Sequence, residues 1–93
     1  MSISVFEGKS RTIIRDKRFE REMAEIERNV RRADEFLEGA EIILSREPER
    51  GCPLEGSNVW FISGHTVDLA LYYTFDEDYV YFLSVQKTVL PEL

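Results

Sequence analysis

Residues 67–87 read Val67-Asp68-Leu69-Ala70-Leu71-Tyr72-Tyr73-Thr74-Phe75-Asp76-Glu77-Asp78-Tyr79-Val80-Tyr81-Phe82-Leu83-Ser84-Val85-Gln86-Lys87. The first half has a period of two. Val67, Leu69, Leu71, Tyr73 and Phe75 share one face, and Asp68, Ala70, Tyr72 and Thr74 share the other, which describes a strand half buried against helices. Asp76 to Asp78 form a polar turn. Tyr79 to Lys87, rich in aromatic and β-branched residues, then returns antiparallel as a hairpin partner. Just upstream, Asn58 to Ser63 is a third strand, with Gly64-His65 as its turn, so the C-terminal half is expected to be a three-stranded antiparallel meander.

The first half of the chain has a different period. Phe19, Met23, Ile26, Val30, Ala33, Leu37, Ala40 and Leu44 follow one another at alternating steps of four and three, which is a helical seam. One long helix would carry this seam as a coiled-coil stripe, and two shorter helices would fold it into a hairpin. Asn29, the Arg31-Arg32 pair and the acidic start Asp34-Glu35 mark a stop and a new helix N-terminus. The hairpin is therefore expected, from about Asp16 to Val30 and from about Ala33 to Arg46, with Pro48 forbidding continuation beyond Glu47. A single helix over Phe19 to Leu44 that dimerises along its seam is the competing reading. Glu47 to Ser57 carries two Pro and two Gly without periodicity and reads as a connector. A first strand at Ile3 to Phe6 or at Thr12 to Ile14 completes an α+β domain with its helices packed on one face of the sheet.

Ninety-three residues leave room for one domain, 1–93, with a modest core and no deep cofactor cleft. The formal charge is -6, and it is unevenly arranged. Residues 1–50 hold eleven bases and twelve acids, whereas residues 51–93 hold six acids and a single base, Lys87. Such a C-terminal half is hostile to a phosphate backbone. No apolar run reaches the ~20 residues of a spanning helix, and Met1 to Ser10 lacks the order of a signal peptide, so a cytoplasmic chain is expected with no membrane partner. One Cys and one His cannot build a zinc site within the chain, and the acidic turns lack calcium-loop spacing; no metal or cofactor is expected.

Several segments together carry a likeness to a known family. They are the helical hairpin after a first strand, Arg46-Glu47-Pro48-Glu49-Arg50-Gly51 where the second helix ends, Pro53-Leu54-Glu55-Gly56, the strand ending Leu69-Ala70-Leu71-Tyr72-Tyr73, and the last long strand Tyr79 to Val85. In this order, from Arg11 to Thr88, the chain resembles the RelE/ParE superfamily of type II toxin-antitoxin toxins. The resemblance implies a plasmid-stabilisation-type toxin neutralised by a cognate antitoxin. It also implies one of two activities: metal-independent endoribonuclease cleavage of ribosome-bound messenger RNA, or inhibition of DNA gyrase.

Cleavage beside a 2′-hydroxyl needs a base, an acid and cations for the charge gathering on the phosphate. Where the family carries a strand Arg, this chain has Leu69 or Ala70. At the end of the last strand, where the family shows His or Arg, it has Val85-Gln86-Lys87-Thr88. The candidate catalytic residues are Lys87 for the phosphate, His65 for proton transfer near neutrality, and Tyr72 for base stacking from the sheet's open face. Each has a plainer reading: Lys87 as a solvated strand end, His65 as a turn residue, Tyr72 as part of a protein interface. Lys9, Arg11, Arg15, Lys17, Arg18 and Arg21 form a basic stretch interleaved with Asp16, Glu20 and Glu22, which reads as a salt-bridged helix face. The alternative function is a catalytically degenerate member of the same fold that serves as a protein-binding or dimerisation module.

Overall fold

Asp16 starts the first helix by accepting the backbone N–H of Arg18 on its carboxylate at 2.9 Å, which satisfies one of the free N–H groups of the first turn. In this computed structural model, which describes residues 10–64 and 67–88, helix α1 spans Lys17–Asn29 and helix α2 spans Ala33–Arg46. Phe19, Met23 and Ile26 are buried on α1, and Ala33, Leu37, Ala40 and Leu44 on α2, following the four-three spacing of the sequence. Burial of the large members contributes about 1.5–3 kcal/mol each.

The seam is continuous in sequence and broken in space, which removes the single-helix reading. The N–H of Val30 closes α1 on the carbonyl of Ile26, and Arg32 takes a left-handed backbone (φ 70°, ψ 15°) that turns the chain into α2. A non-glycine residue held there costs about 1–2 kcal/mol, so the turn is maintained by the packing of both helices on one sheet.

That sheet has five strands: β1 Thr12–Arg15, β2 Cys52–Pro53, β3 Trp60–Ser63, β4 Leu69–Phe75 and β5 Tyr79–Lys87, in spatial order β1-β5-β4-β3-β2. The expected meander is present as β3, β4 and β5, paired antiparallel. Its first strand begins at Trp60, because the carbonyl of Asn58 instead accepts the Thr74 hydroxyl at 2.9 Å. The sheet differs from the expected meander in two ways. β1 lies parallel to β5, Thr12 opposite Tyr79, which makes the sheet mixed. The connector also contains structure: a 3-10 turn at Pro48–Arg50, and β2, which pairs with Trp60 and Phe61. A two-residue strand leaves no periodic signal. Of the two proposed first strands, Thr12 to Ile14 is realised, whereas Ile3 to Phe6 lies outside the described residues, as does His65 of the expected turn.

The helices cover the face that carries Leu69, Leu71 and Tyr73 of β4 with Val80, Phe82 and Val85 of β5, all buried. Phe19 meets Phe82 edge-on, with ring centroids 5.4 Å apart. Tyr73 is fully buried, and its hydroxyl donates to the Pro48 carbonyl at 2.5 Å. Gly51 passes so close to that hydroxyl and to the Phe61 carbonyl that a Cβ has no room. Between Tyr72 opposite Ser84 and Tyr73 opposite Phe82, the register slips by one and leaves Leu83 as an extra residue in β5. This β-bulge changes which face the rest of β5 presents.

Gly51→Ala is expected to destabilise the protein by about 1–3 kcal/mol through overpacking against Tyr73. Tyr73→Phe is expected to cost about 1–3 kcal/mol by leaving the Pro48 carbonyl without its partner. Urea denaturation of both variants measures this, and an unchanged midpoint for either contradicts the packing described.

Candidate functional site

Alternation and register assign every strand residue to one of two faces. The face turned away from the helices carries Thr12 and Ile14 of β1, Tyr79 and Tyr81 of β5, Tyr72 and Thr74 of β4, and Phe61 of β3, with Cys52 at the margin. Tyr72 lies directly opposite Phe61, their ring centroids 6.1 Å apart, and Tyr79 lies 5.9 Å from Tyr81. Ile14 and Tyr79 are about two-fifths exposed. No Lys or Arg of the described strands projects from this face. It is a neutral, aromatic surface, suited to another protein's apolar side chains and poorly suited to holding a phosphate.

The expected site residues are not brought together. Tyr72 is half-buried on the open face, as its alternation with Tyr73 implies. Lys87 is opposite Leu69 and two residues beyond Val85, so the Leu83 bulge puts it on the helix-covered side. There it borders a shallow depression of about 450 Å³ with Arg21, Glu25 and Ile26 of α1. Lys87 and Tyr72 therefore sit on opposite faces of the sheet. His65 lies outside the described residues. The basic stretch at the start of α1 is largely solvated and ion-paired: Arg18 with Glu22 at 3.2 Å, and Arg15 with Glu41 of α2. Arg11 donates to the Asp76 carbonyl and stacks over Phe75.

Two polar centres were not legible in the sequence. At the β4–β5 turn, Asp76 accepts the N–H groups of Asp78 and Tyr79 at 2.9 and 2.8 Å and the Tyr81 hydroxyl at 3.2 Å. These backbone donors, with Tyr81 and Arg11, hold its carboxyl below the usual range. Loss of solvent and the Asp76 partner push the Tyr81 phenol up. Burial pushes the Tyr73 phenol up to about 12, so it stays a donor at every physiological pH. The second centre is Glu22 on α1. Its carboxylate accepts the Ser84 hydroxyl at 2.8 Å and the Val85 N–H at 3.1 Å, both immediately after the bulge. Burial pushes the Glu22 carboxyl up, but the Ser84, Val85 and Arg18 donors outweigh it and the net shift is downward. In sequence Glu22 was one acid among several on a charged helix, and only its position between Phe19 and Ile26 marked it as near the sheet.

Among the described residues no three metal-ligating side chains are gathered, and no helix is long and apolar enough to cross a membrane. Cys52 is free and exposed.

Solved structures share this arrangement of two helices on a five-stranded mixed sheet. A chain of the RelBE2 toxin-antitoxin complex from Mycobacterium tuberculosis superposes with a TM-score of 0.70 at 25% identity, over 86% of this chain and 93% of that one. The chromosomal ParDE system of P. aeruginosa gives 0.69 at 9% identity, over 86% and 98%. The intact E. coli RelBE toxin-antitoxin complex gives 0.68 at 22% identity, over 87% and 100%. No protein-family model and no curated protein matches the sequence. The chain has a RelE/ParE-like toxin fold.

The folded pKa of Glu22 is depressed, so its contribution to stability is complete above the unfolded carboxyl value of 4.5 and is lost as pH falls through the folded value. Glu22→Gln is expected to flatten this acid-side loss while lowering stability at pH 7 by about 1–2 kcal/mol. Thermal melts between pH 3 and pH 7 check it; an unchanged acid limb contradicts the assignment.

Proposed function

We propose that this chain is the toxin component of a type II toxin-antitoxin system, a cytoplasmic single-domain protein held inactive by a cognate antitoxin. What supports the reading is the likeness, over 86–87% of the chain, to chains of toxin-antitoxin complexes from three bacteria. The toxin arrests growth by gripping a protein target, with DNA gyrase the leading one, on the neutral aromatic face around Tyr72, Phe61 and Tyr81. The observation favouring a protein target over RNA is the lack of any Lys or Arg on that face of the described strands, with Lys87 on the other side. A site that cuts RNA must gather cations around the scissile phosphate, since counter-charge supplies both affinity and transition-state stabilisation. In the competing nuclease form, Lys87, His65 and Tyr72 would do that work without a metal. In the degenerate form the same aromatic face serves only to bind or dimerise.

Tightly controlled expression in a bacterial host, scoring growth and the integrity of total messenger RNA, tests the proposal. The expected outcome is arrest with intact messages, relieved by co-expression of the product of the adjacent reading frame. Tyr72→Ala is expected to weaken arrest at least tenfold and Lys87→Ala to leave it unchanged, with folding verified by circular dichroism. Cut messages together with a loss of arrest in Lys87→Ala would replace this reading by the nuclease. Growth without arrest would replace it by the binding module.

A further inference from the structure

The five-stranded sheet ends in two unlike edges. On one side β2 is two residues long and includes Pro53, which has no N–H to offer a further strand. On the other side lies β1, which pairs with β5 alone and carries no proline, glycine or register slip over Thr12–Arg15. The pairing with β5 fixes which backbone groups of β1 are already bonded. The Thr12 N–H donates to the Asp78 carbonyl and the Asp16 N–H to the Phe82 carbonyl, so the even-numbered residues of this parallel ladder bond to β5. Ile13 and Arg15 therefore turn their N–H and C=O groups outward, and among the described residues no strand receives them. The open stretch is closed at both ends. The Arg11 N–H is bonded to the Ser45 carbonyl at the end of α2, and Asp16 caps α1.

Such an edge is complementary to itself. When two copies meet antiparallel about a two-fold axis at Ile14, Ile13 of each faces Arg15 of the other, and every outward N–H and C=O of both strands is bonded. A register centred on Ile13 would instead set Arg15 opposite Arg11, whose N–H is already committed to Ser45. With the axis at Ile14, the two Ile14 side chains form a non-hydrogen-bonded pair, the closer kind, with Cα atoms about 4.5 Å apart. Ile14 is 39% exposed in the single chain, and Tyr79, 40% exposed, shares its face beside Tyr81. The exposed apolar side chains of the open face thus stand at this edge. Charges there are mixed, Arg11, Arg15 and Lys17 with Asp16, Glu41 and Asp78, so the excess of -6 is carried elsewhere and does not oppose close approach. The occupant is limited by the ends of the stretch. A longer foreign strand gains nothing beyond Arg15, where the chain turns into α1. The chain enters β1 from the helix layer, tied by Arg11 to Ser45, and not along the open edge.

We propose that β1 is a self-pairing edge: two copies of the chain associate through antiparallel β1 strands and join their sheets into one of ten strands. On the helix-covered side Arg15 keeps its charge on Glu41 while its stem lies against Ile13 of the other copy. Four-residue strands bury less than the ~1,200 Å² at the lower end of stable interfaces, so the dimer is reversible and forms as concentration rises. The inference rests on the edge alone and stands whether or not the chain is a toxin. Its consequence for the open face is that the aromatic surface around Tyr72 and Tyr81 is presented twice on one continuous sheet, which suits a target that is itself two-fold symmetric.

Sedimentation equilibrium of the full chain, from micromolar to millimolar concentration, tests the proposal together with amide hydrogen exchange read by NMR. The expected result is a monomer–dimer equilibrium in which exchange at Ile13 and Arg15 slows as concentration rises, while Ile14, bonded to β5, is protected throughout. Ile14→Lys sets like charges against each other at the axis and is expected to weaken association at least tenfold. Arg15→Pro removes one outward N–H from each copy without touching the bonds to β5, and the same loss is expected. Circular dichroism establishes that both variants fold; Ile14 is exposed, so its variant keeps the test decisive if Arg15→Pro does not fold. Deletion of residues 1–9 is expected to leave the association unchanged. A monomer at every concentration overturns the proposal, as does a dimer that either folded variant leaves intact. So does a dimer that appears only after the deletion, because the occupant of the edge in the full chain is then its own N-terminal segment. A dimer lost in Tyr72→Ala but kept in Ile14→Lys assigns the contact to the centre of the open face and overturns it equally.

Discussion

The structure depends on the buried hydroxyl of Tyr73. A phenol that is fully enclosed must find an acceptor, and this one finds the Pro48 carbonyl just past the end of α2. The bond fastens the segment leaving the helices onto the centre of the sheet. Gly51 allows that approach because it has no side chain, and β2 can then pair with the edge of β3. Tyr73 also lies at the register slip that shifts β5 by one residue. The position of the connector and the parity of the last strand both meet at this residue.

The regular elements were readable because each repeats its signal several times. The four-three seam supplied eight positions, and the break at Asn29 to Asp34 separated two helices whose observed bounds lie within a residue of those expected. The alternation in β4 likewise marked Tyr73 as core and Tyr72 as open face. What could not be read were features made by a single residue or a distant partner. β2 is two residues long, and the parallel pairing of β1 with β5 joins positions 67 apart. The Leu83 bulge leaves no mark on a strand that is apolar on both sides.

The bulge also explains why the site was only partly legible. Counting by twos from Val80 puts Gln86 with the core and Lys87 with the open side, next to Tyr72. The extra residue inverts that parity and sends Lys87 toward α1. Glu22 sits beside the same irregularity, where it accepts the Ser84 hydroxyl and the Val85 N–H that follow the extra residue. A carboxylate serving a strand 62 residues away carries no local signature.

The parallel pairing of β1 with β5 also constrains the order in which the chain can be made into a protein. β1 is among the first described segments to leave the ribosome, yet the strand it joins is nearly the last. Until Tyr79 and its successors emerge, the hairpin of α1 and α2 has no completed sheet on which to bury Phe19 and Met23. Its apolar stripe is then open to any chaperone or binding protein nearby. Any protein that recognises that stripe therefore has a window in which to engage the nascent chain before closure of the sheet hides it.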